Sequence, residues 1–399
     1  MTRRPENIVV VGAGLAGLRS AETLRARGFD GRLTLVGDET HLPYERPALS
    51  KELLAGKRSP EQLALRQPEF FREQQIKLLL GRRVERVSPK HRTALLSDGR
   101  ELLWDALVIA TGARARRMRG VETPPGVHYL RTLSDALALR SELVHGKRLA
   151  VVGAGFIGAE VASTAVTLGL DVSVIEPLAA PLERVLGTEI GMLLAERYRA
   201  QGVDLRLGTG VTDFACGPDG RLRALELSDG SEIVCDVAVV GIGAEPAGEL
   251  LGAPAIETDA SGRTEHEGIY ACGDVASSWR PSLGRHLRME HWTSAAGQAA
   301  AVARTILGEE SVHDDVPFFW SDQFGLRLQY VGFASEWASI DVEDDGDTFS
   351  VRYLGEDERL LAALVANRPG ELAGLRRELA ASAVVSHTTS LDERELEAV

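Results

Sequence analysis

Gly153, Gly155 and Gly158 stand in G-x-G-x-x-G register directly after the apolar run Leu149–Val152. Each glycine has its own use. The first allows a tight turn, the second lets backbone approach a pyrophosphate, and the third lets a helix pack close to its strand. Phe156 and Ile157 open that helix, whose N-terminus offers unpaired N–H groups and a positive dipole end to phosphate. A second copy lies 141 residues upstream: Gly12, Gly14 and Gly17, with Leu15 and Ala16 between, after Ile8–Val11. One such motif is a weak signal. Two, each between a β-rich run and a helical pattern, are strong. They imply two dinucleotides on one chain, with electrons passing between them.

A dinucleotide fold of this kind carries an acid roughly 20 residues past the glycines, where it bonds a ribose diol. In the second half Glu176 ends the run Val172–Ile175, 23 residues after Gly153. A carboxylate there accepts from both ribose hydroxyls and repels a 2′-phosphate. The next arginine is Arg184, beyond Pro177–Glu183, so NADH is favoured over NADPH. In the first half, aligning Leu33–Val36 on Val172–Ile175 puts Gly37 in the acid's place. Asp38 is the expected substitute and Glu39 the alternative. The turn Leu42–Lys51 holds Arg46, Pro47 and Lys51 and leads into a short helix with Ser50 as its N-cap. Residue type alone makes Arg46 and Lys51 solvated surface charges. Their position after the second strand, bordering a cofactor crevice, argues otherwise.

These groups need a scaffold, and 399 residues is enough for two or three domains, because single cores stop growing near about 250–300 residues. Residues 8–14 read as a buried strand, 15–27 as a helix, Arg32–Val36 as a strand and 61–75 as helical. Ile76–Leu80, Arg82–Val87, Thr93–Leu96 and Glu101–Ile109 read as short strands ending at Ala110-Thr111-Gly112. Ser97–Ala113 matches Ser228–Ala244 without gaps at eight of seventeen positions, and the second copy ends at Gly243-Ala244. Each half is thus a dinucleotide domain closed by a hairpin, a strand and a glycine turn. Arg114–Arg119 reads as a solvated linker. Ile269–Ala276 is a short strand running into Gly273-Asp274, and Glu290-His291-Trp292-Thr293 opens a helix of small residues reaching about Leu307. The tail has β-like runs from Pro317–Gln323, at Arg327–Val331 and at Phe349–Tyr353, an acidic turn over Asp341–Asp347, and helix over 371–381. After Ser382 it is polar and expected to fray.

The net charge of −13 argues against nucleic acid as a partner. The three cysteines, Cys216, Cys235 and Cys272, form no close pair, so neither a metal site nor a redox disulfide is expected, and their scatter suits a reducing cytoplasm. Thr2-Arg3-Arg4 before an apolar run mimics a secretory leader, but that run is the first strand. No run of about 18 apolar residues occurs, so no membrane span is expected.

In their order, Leu42–Lys51, Gly153–Glu160, Gly273-Asp274, Glu290–Gln298 and Phe319–Gln323 resemble the FAD-dependent pyridine-nucleotide reductases. Within them the chain is similar to the ferredoxin reductases that serve bacterial cytochrome P450 and Rieske-type oxygenase systems. The resemblance covers nearly the whole chain. It implies an α/β fold of two Rossmann-like dinucleotide-binding domains, glutathione-reductase-like, with a C-terminal α+β domain. Residues 1–114 and 241–315 would form a discontinuous FAD domain, 115–240 the NADH domain, and 316–399 a domain closing over the flavin. Asp274 would hold the ribityl chain, Arg46 would sit by the pyrophosphate and Lys51 by the flavin ring. Glu160 would face Lys51, keeping it charged and in place while it stabilises electron density on the ring. Lys51 and Glu160 are therefore the expected catalytic pair. Ala110–Gly112, Gly243, His291, Trp292, Thr293 and Trp320 join the two glycine motifs as expected cofactor contacts. No cysteine falls within 41–56, where disulfide-reducing relatives keep a redox pair, and Ala180 replaces a basic residue common in relatives.

The activity implied is hydride transfer from NADH to FAD, then single electrons to a two-iron two-sulfur ferredoxin. Such ferredoxins are acidic, so Arg280, Arg285 and Arg288, with His286 and joined by Arg368, Arg376 and Arg377, are the expected docking face of a monomer or weak dimer. Another acceptor (rubredoxin, a quinone-like molecule, oxygen) is the alternative enzyme. An interaction protein like the apoptosis-inducing factors is the alternative of another class, marked by slow reduction by NADH.

Overall fold

Residues 8–11 are apolar on both faces because their strand is buried on both. The strand Asn7–Val11 sits centrally in a parallel sheet of order Ile269–Ala271, Ala106–Ile109, Asn7–Val11, Arg32–Val36, Ile76–Leu79. Alternate side chains leave it in opposite directions. Ile8 and Val10 enter a core shared with the helices Leu15–Ala26 and Trp292–Ile306. Val9 and Val11 enter another, capped by Val84, Val87, Ala94 and Leu96 of a three-stranded antiparallel sheet and by Trp104 just after its last strand. The computed structural model describes residues 4–381. The leader-like Thr2-Arg3 and the tail after Ser382 lie outside the described residues.

The second sheet repeats the first in parallel order Val127–Tyr129, Val237–Val240, Arg148–Val152, Asp171–Glu176, Asp204–Leu207. The helices Phe156–Thr167 and Glu183–Ala200 contribute to the core on one face, and a second three-stranded sheet covers the other. One difference separates the halves. The outermost strand beside Val237–Val240 precedes its sheet in the chain, whereas Ile269–Ala271 reaches the first sheet only after the whole second one. The ends of the duplicated segments meet: Ala113–Ala115 pairs antiparallel with Ala244–Pro246. Arg114 bonds Glu249 and Arg116 lies 3.5 Å from Glu245. The basic run expected as a solvated linker therefore begins as half of a pinned two-stranded connection.

The third unit is an antiparallel sheet of order Phe318–Gln323, Leu326–Gly332, Leu360–Ala366, Phe349–Leu354, Ser339–Asp344, with 372–381 helical. Phe319, Leu328, Tyr330 and Tyr353 share a core with Leu53, Val161 and Tyr198, so this sheet closes on both halves. No helix among the described residues is long and apolar enough to cross a membrane.

Several local expectations need correction. Glu101–Ile109 is two strands in different sheets, because Trp104 is buried and Asp105 turns its carboxylate to the Glu6 and Asn7 amides. The 61–75 segment holds only Glu61–Leu63 and Pro68–Glu73 as helix. Leu65 N–H bonds the Pro43 carbonyl between them. Ser50 is no N-cap: helical structure begins at Arg46 and Ser50 lies inside the π-helical turn Leu49–Leu53. Asp341–Asp344 belongs to the exposed edge strand, where charge discourages further pairing.

Candidate functional site

The two glycine turns are built alike. A β-carbon at Gly12 would lie 2.1 Å from the Ala110 carbonyl oxygen, and one at Gly17 1.8 Å from the Gly12 oxygen. The counterparts at Gly153 and Gly158 would meet Gly241 and Gly153 oxygens at 2.6 and 2.1 Å. Between them, Gly14 has nothing within 4 Å and Gly155 only one atom at that limit. Each motif therefore packs tightly on its outer glycines and leaves its middle glycine open, the shape a pyrophosphate against bare backbone requires. Leu15, Ala16, Phe156 and Ile157 begin the helices behind these turns. The residues present fit two dinucleotides.

Around the first turn lies a charged chain. Glu39 accepts from Tyr44 Oη at 2.7 Å and Arg46 Nη2 at 2.6 Å. Burial opposes the Arg46 charge, but Tyr44 and Glu39 more than offset it, and its pKa is raised. Arg46 Nη1 also donates to the Arg131 carbonyl at 2.8 Å, and Arg131 Nη2 lies 2.6 Å from Asp274 Oδ2. Asp274 follows Gly273, whose φ is +78° and whose β-carbon would touch Ala16 at 2.9 Å. The strand end is thus pressed onto the first glycine helix. Ala110, Thr111 and Gly112 border the same turn, with Thr111 Oγ1 bonded to the Ala247 carbonyl. Gly243, φ +104°, lies open in the matching turn of the second half. Pro47 lies in the short helical turn Arg46–Ala48, which runs directly into the turn Leu49–Leu53 that carries Lys51.

The acid expected after the second strand is differently placed. Asp38 is exposed, and Glu39 holds Arg46. At Gly37 a β-carbon would come within 2.6 Å of Ala13 Cβ, so a side chain there collides with the glycine turn. In the second half Glu176 is 9% exposed, and its two oxygens accept from the Ala154 and Leu178 amides at 2.7 and 3.0 Å. It braces its own glycine turn through the Ala154 amide. A carboxylate oxygen has two acceptor sites, so capacity for ribose hydroxyls remains. Ala180 is fully buried.

Lys51 and Glu160 meet. Lys51 Nζ lies 2.8 Å from Glu160 Oε2, with side chains 14% and 5% exposed. Ser50 Oγ donates to the same oxygen at 2.5 Å and Ser321 Oγ to Oε1 at 2.7 Å. Thr164 Oγ1 bonds the Ser50 carbonyl at 2.8 Å. One carboxylate therefore ties together the first half, the second half and the C-terminal sheet.

His291 caps the helix Trp292–Ile306 and lies 4.7 Å from the Phe319 ring. Burial lowers its pKa to about 4 against the pull of Asp274, so it is neutral near pH 7. Its Nδ1 is buried without a protein partner, an orphan that suits a polar ligand atom. Thr293 Oγ1 bonds the Phe318 carbonyl at 2.8 Å. Trp292 and Trp320 are half-buried, the latter stacked on Phe318.

The expected docking arginines separate. Arg280 is 1% exposed, 3.3 Å from Asp314 and bonded to the Asp315 carbonyl, so it cannot touch a partner. Arg288 pairs with Glu290. Arg368 is enclosed by Glu343, Asp345 and Glu371. Arg376 covers the Phe318 ring, while Arg285, His286 and Arg377 are exposed. Cys216, Cys235 and Cys272 are unpaired, and burial pushes the latter two thiols up to about 12. Among the described residues no group of three or more His, Cys, Asp or Glu could hold a metal ion.

Arg131, Ser50 and Ser321 are site residues that motif reading passed over. Ser50 and Ser321 carried a signal, their places within Leu42–Lys51 and Phe319–Gln323; Arg131 is an ordinary residue type brought in by the fold.

The pyridine nucleotide-disulphide oxidoreductase family matches residues 6–299, and a reductase C-terminal family matches 318–396. The ferredoxin–NAD(+) reductase component of the anthranilate 1,2-dioxygenase system of Burkholderia cepacia is 37% identical over 94% of this chain and 94% of its own. The putidaredoxin reductase of Pseudomonas putida is 37% identical over 92% and 90%. The crystal structure of the covalent putidaredoxin reductase–putidaredoxin complex matches with TM-score 0.91 and 36% identity, covering 94% of this chain and 93% of that one.

Proposed function

The chain belongs to the pyridine nucleotide-disulphide oxidoreductase family, and on that premise we propose that it is an FAD-dependent NADH:ferredoxin oxidoreductase. Its electrons go to a two-iron two-sulfur ferredoxin that feeds a cytochrome P450 or Rieske-type oxygenase. Supporting this reading are the dioxygenase-system reductases and putidaredoxin reductase it matches over nearly full length. Disulfide chemistry is not part of it, since 41–56 holds no cysteine.

Residues 1–114 with 241–315 hold FAD, 115–240 binds NADH, and the C-terminal sheet beginning at Phe318 closes the site. The chemistry that the side chains lack, accepting a hydride and releasing electrons singly, is supplied by FAD when bound. The turn Gly12–Gly17 and its helix N-terminus bind one pyrophosphate, with Arg46 and Arg131 as flanking cations and Asp274 as an acceptor. The turn Gly153–Gly158 binds the other, and Glu176 receives the ribose hydroxyls. Lys51 is a fixed positive charge at the place where negative charge builds up, and Glu160 holds it there. Phe319 and its sheet keep water from the crevice. The observation that carries this most is the Lys51–Glu160 contact, 2.8 Å long and made between the two glycine-turn halves.

Ferredoxin docks, on this reading, at the hairpin Ala276–Arg280 and Arg285–Arg288. Arg285 and His286 face solvent beside Trp279, 39% exposed. Charge steering makes turnover fall as salt rises.

An anaerobic absorbance titration tests the reading. Near-stoichiometric NADH should bleach the flavin fast and NADPH slowly, and the reduced protein should then reduce a two-iron ferredoxin. Slow bleaching by both nucleotides would end the reductase reading. An equal response to both would remove only the role of Glu176.

A further inference from the structure

Beyond the lysine–carboxylate pair the hydrogen bonds continue. Ser321 Oγ, which donates to Glu160, accepts from Gln323 Nε2 at 3.1 Å. Gln323 Oε1 in turn accepts from the Tyr198 hydroxyl. Ser321, Gln323 and Tyr198 are 0%, 2% and 1% exposed, so water cannot replace any link. Burial and the Glu160 charge both raise the Tyr198 pKa, and its hydroxyl keeps the proton it donates. Every donor in the chain therefore points the same way, toward Glu160. Bonds aligned like this polarise one another. Gln323 occupies the acceptor side of Ser321, which leaves the serine proton for Glu160 alone.

The three residues come from two units. Tyr198 lies on the helix Glu183–Ala200 of the second half, and Ser321 and Gln323 lie on the first strand of the C-terminal sheet. Ser163 Oγ, one turn along from Glu160, accepts from the Phe324 amide at 2.7 Å, fixing that strand end against the glycine helix. The carboxylate has one oxygen for Lys51 and Ser50 and the other for Ser321. Without the serine it is free to rotate about its last bond, and Lys51 loses a unique position.

We propose that Ser321, Gln323 and Tyr198 are a positioning relay by which the C-terminal sheet orients Glu160, and through it Lys51, for hydride uptake at the bound flavin. The proposal rests on the reading of Lys51 and Glu160 given above. None of the three relay residues touches the reacting atoms. They act through the carboxylate, and they make the C-terminal sheet a working part of the redox site as well as its cover.

The test uses the full chain with FAD bound. Stopped-flow single turnover gives the hydride-transfer rate and the NADH Kd, and dye equilibration gives the flavin midpoint potential. Ser321→Ala should slow hydride transfer about tenfold, the size expected for one lost hydrogen bond to a charged group. Kd should stay unchanged and the potential should become more negative. Ser321→Thr, which keeps the hydroxyl, should restore both. In a Lys51→Met background Ser321→Ala should add no further slowing, because both act through one route. Tyr198→Phe should give the same pattern more weakly, and it decides the matter if Ser321→Ala fails to retain flavin. Normal rate and potential in Ser321→Ala, or in Tyr198→Phe where it must stand in, would overturn the relay, as would losses that add fully to Lys51→Met. If Lys51→Met itself changes neither rate nor potential, the reading of the pair fails and the relay with it. If Lys51→Met slows the reaction and the relay variants do not, only the relay falls.

Discussion

Lys51 Nζ and Glu160 Oε2 lie 2.8 Å apart although 109 positions separate them in the chain. Glu160 also accepts from Ser50 and Ser321. We predict that Glu160→Ala, which strands a buried ammonium and two hydroxyls, lowers stability by about 3 kcal/mol. Glu160→Gln keeps the shape and should melt closer to the parent while still slowing reduction by NADH. Thermal melts with FAD bound compare the two. Equal melts for Ala, Gln and parent would mean that the pair contributes no stability.

The open middle glycine and the closed last one predict opposite phenotypes. Gly14→Ala meets nothing within 4 Å, so it should fold normally and lose FAD, because its methyl group occupies the pyrophosphate's approach. Gly17→Ala drives a methyl into the Gly12 carbonyl and should destabilise the chain by about 1–3 kcal/mol or more. Flavin content and circular dichroism of the purified variants separate these outcomes. Full flavin in Gly14→Ala would displace the cofactor from this turn.

Arg280 and Arg285 are five residues apart and should behave differently. Arg280→Ala leaves Asp314 without its guanidinium and empties a buried volume, costing about 3 kcal/mol. Arg285→Ala should leave the melt unchanged and raise the KM for ferredoxin, with a shallower salt dependence. Steady-state turnover with ferredoxin at several ionic strengths is the measurement. An unaltered salt slope in Arg285→Ala moves the docking face elsewhere.

His291 predicts a pH effect on stability. Its pKa is lowered from 6.5 to about 4, chiefly by burial. Between those values the unfolded chain holds the extra proton and the folded chain does not, so stability falls as pH drops. The contribution is whole above 6.5 and is gone below about 4. Melting temperature plotted against pH should be flatter across this window in His291→Asn than in the parent. Parallel curves would assign the acid loss to other groups.

Much of this was legible from residue order. The glycine motifs, the strands beside them and the Ser97–Ala113 duplication are local patterns, and period and spacing report them directly. The pairings that finish the site are not local. Nothing in the residue type of Ser50 or Ser321 says that both donate to Glu160, and Arg131 reaches Asp274 across 143 positions. Arg280 and Arg285 look alike as letters, and only the neighbouring Asp314 segment makes one a buried strut and the other a surface charge. Gly37 misled in another way. It marks a close approach to Ala13, so the missing acid was a packing constraint before it was a binding question.

The strand Ile269–Ala271 lies beside Ala106–Ile109, although the whole second parallel sheet is encoded between them. A chain made from its N-terminus can therefore finish the inserted sheet by Val240 while the first still lacks its border. Until residue 271 leaves the ribosome, the Ala106–Ile109 edge offers unpaired amides to any passing strand. The inserted half is thus expected to mature first. The earliest-made half then waits on a segment of three residues, and release of the nascent chain before that point would yield one ordered half and one sticky one.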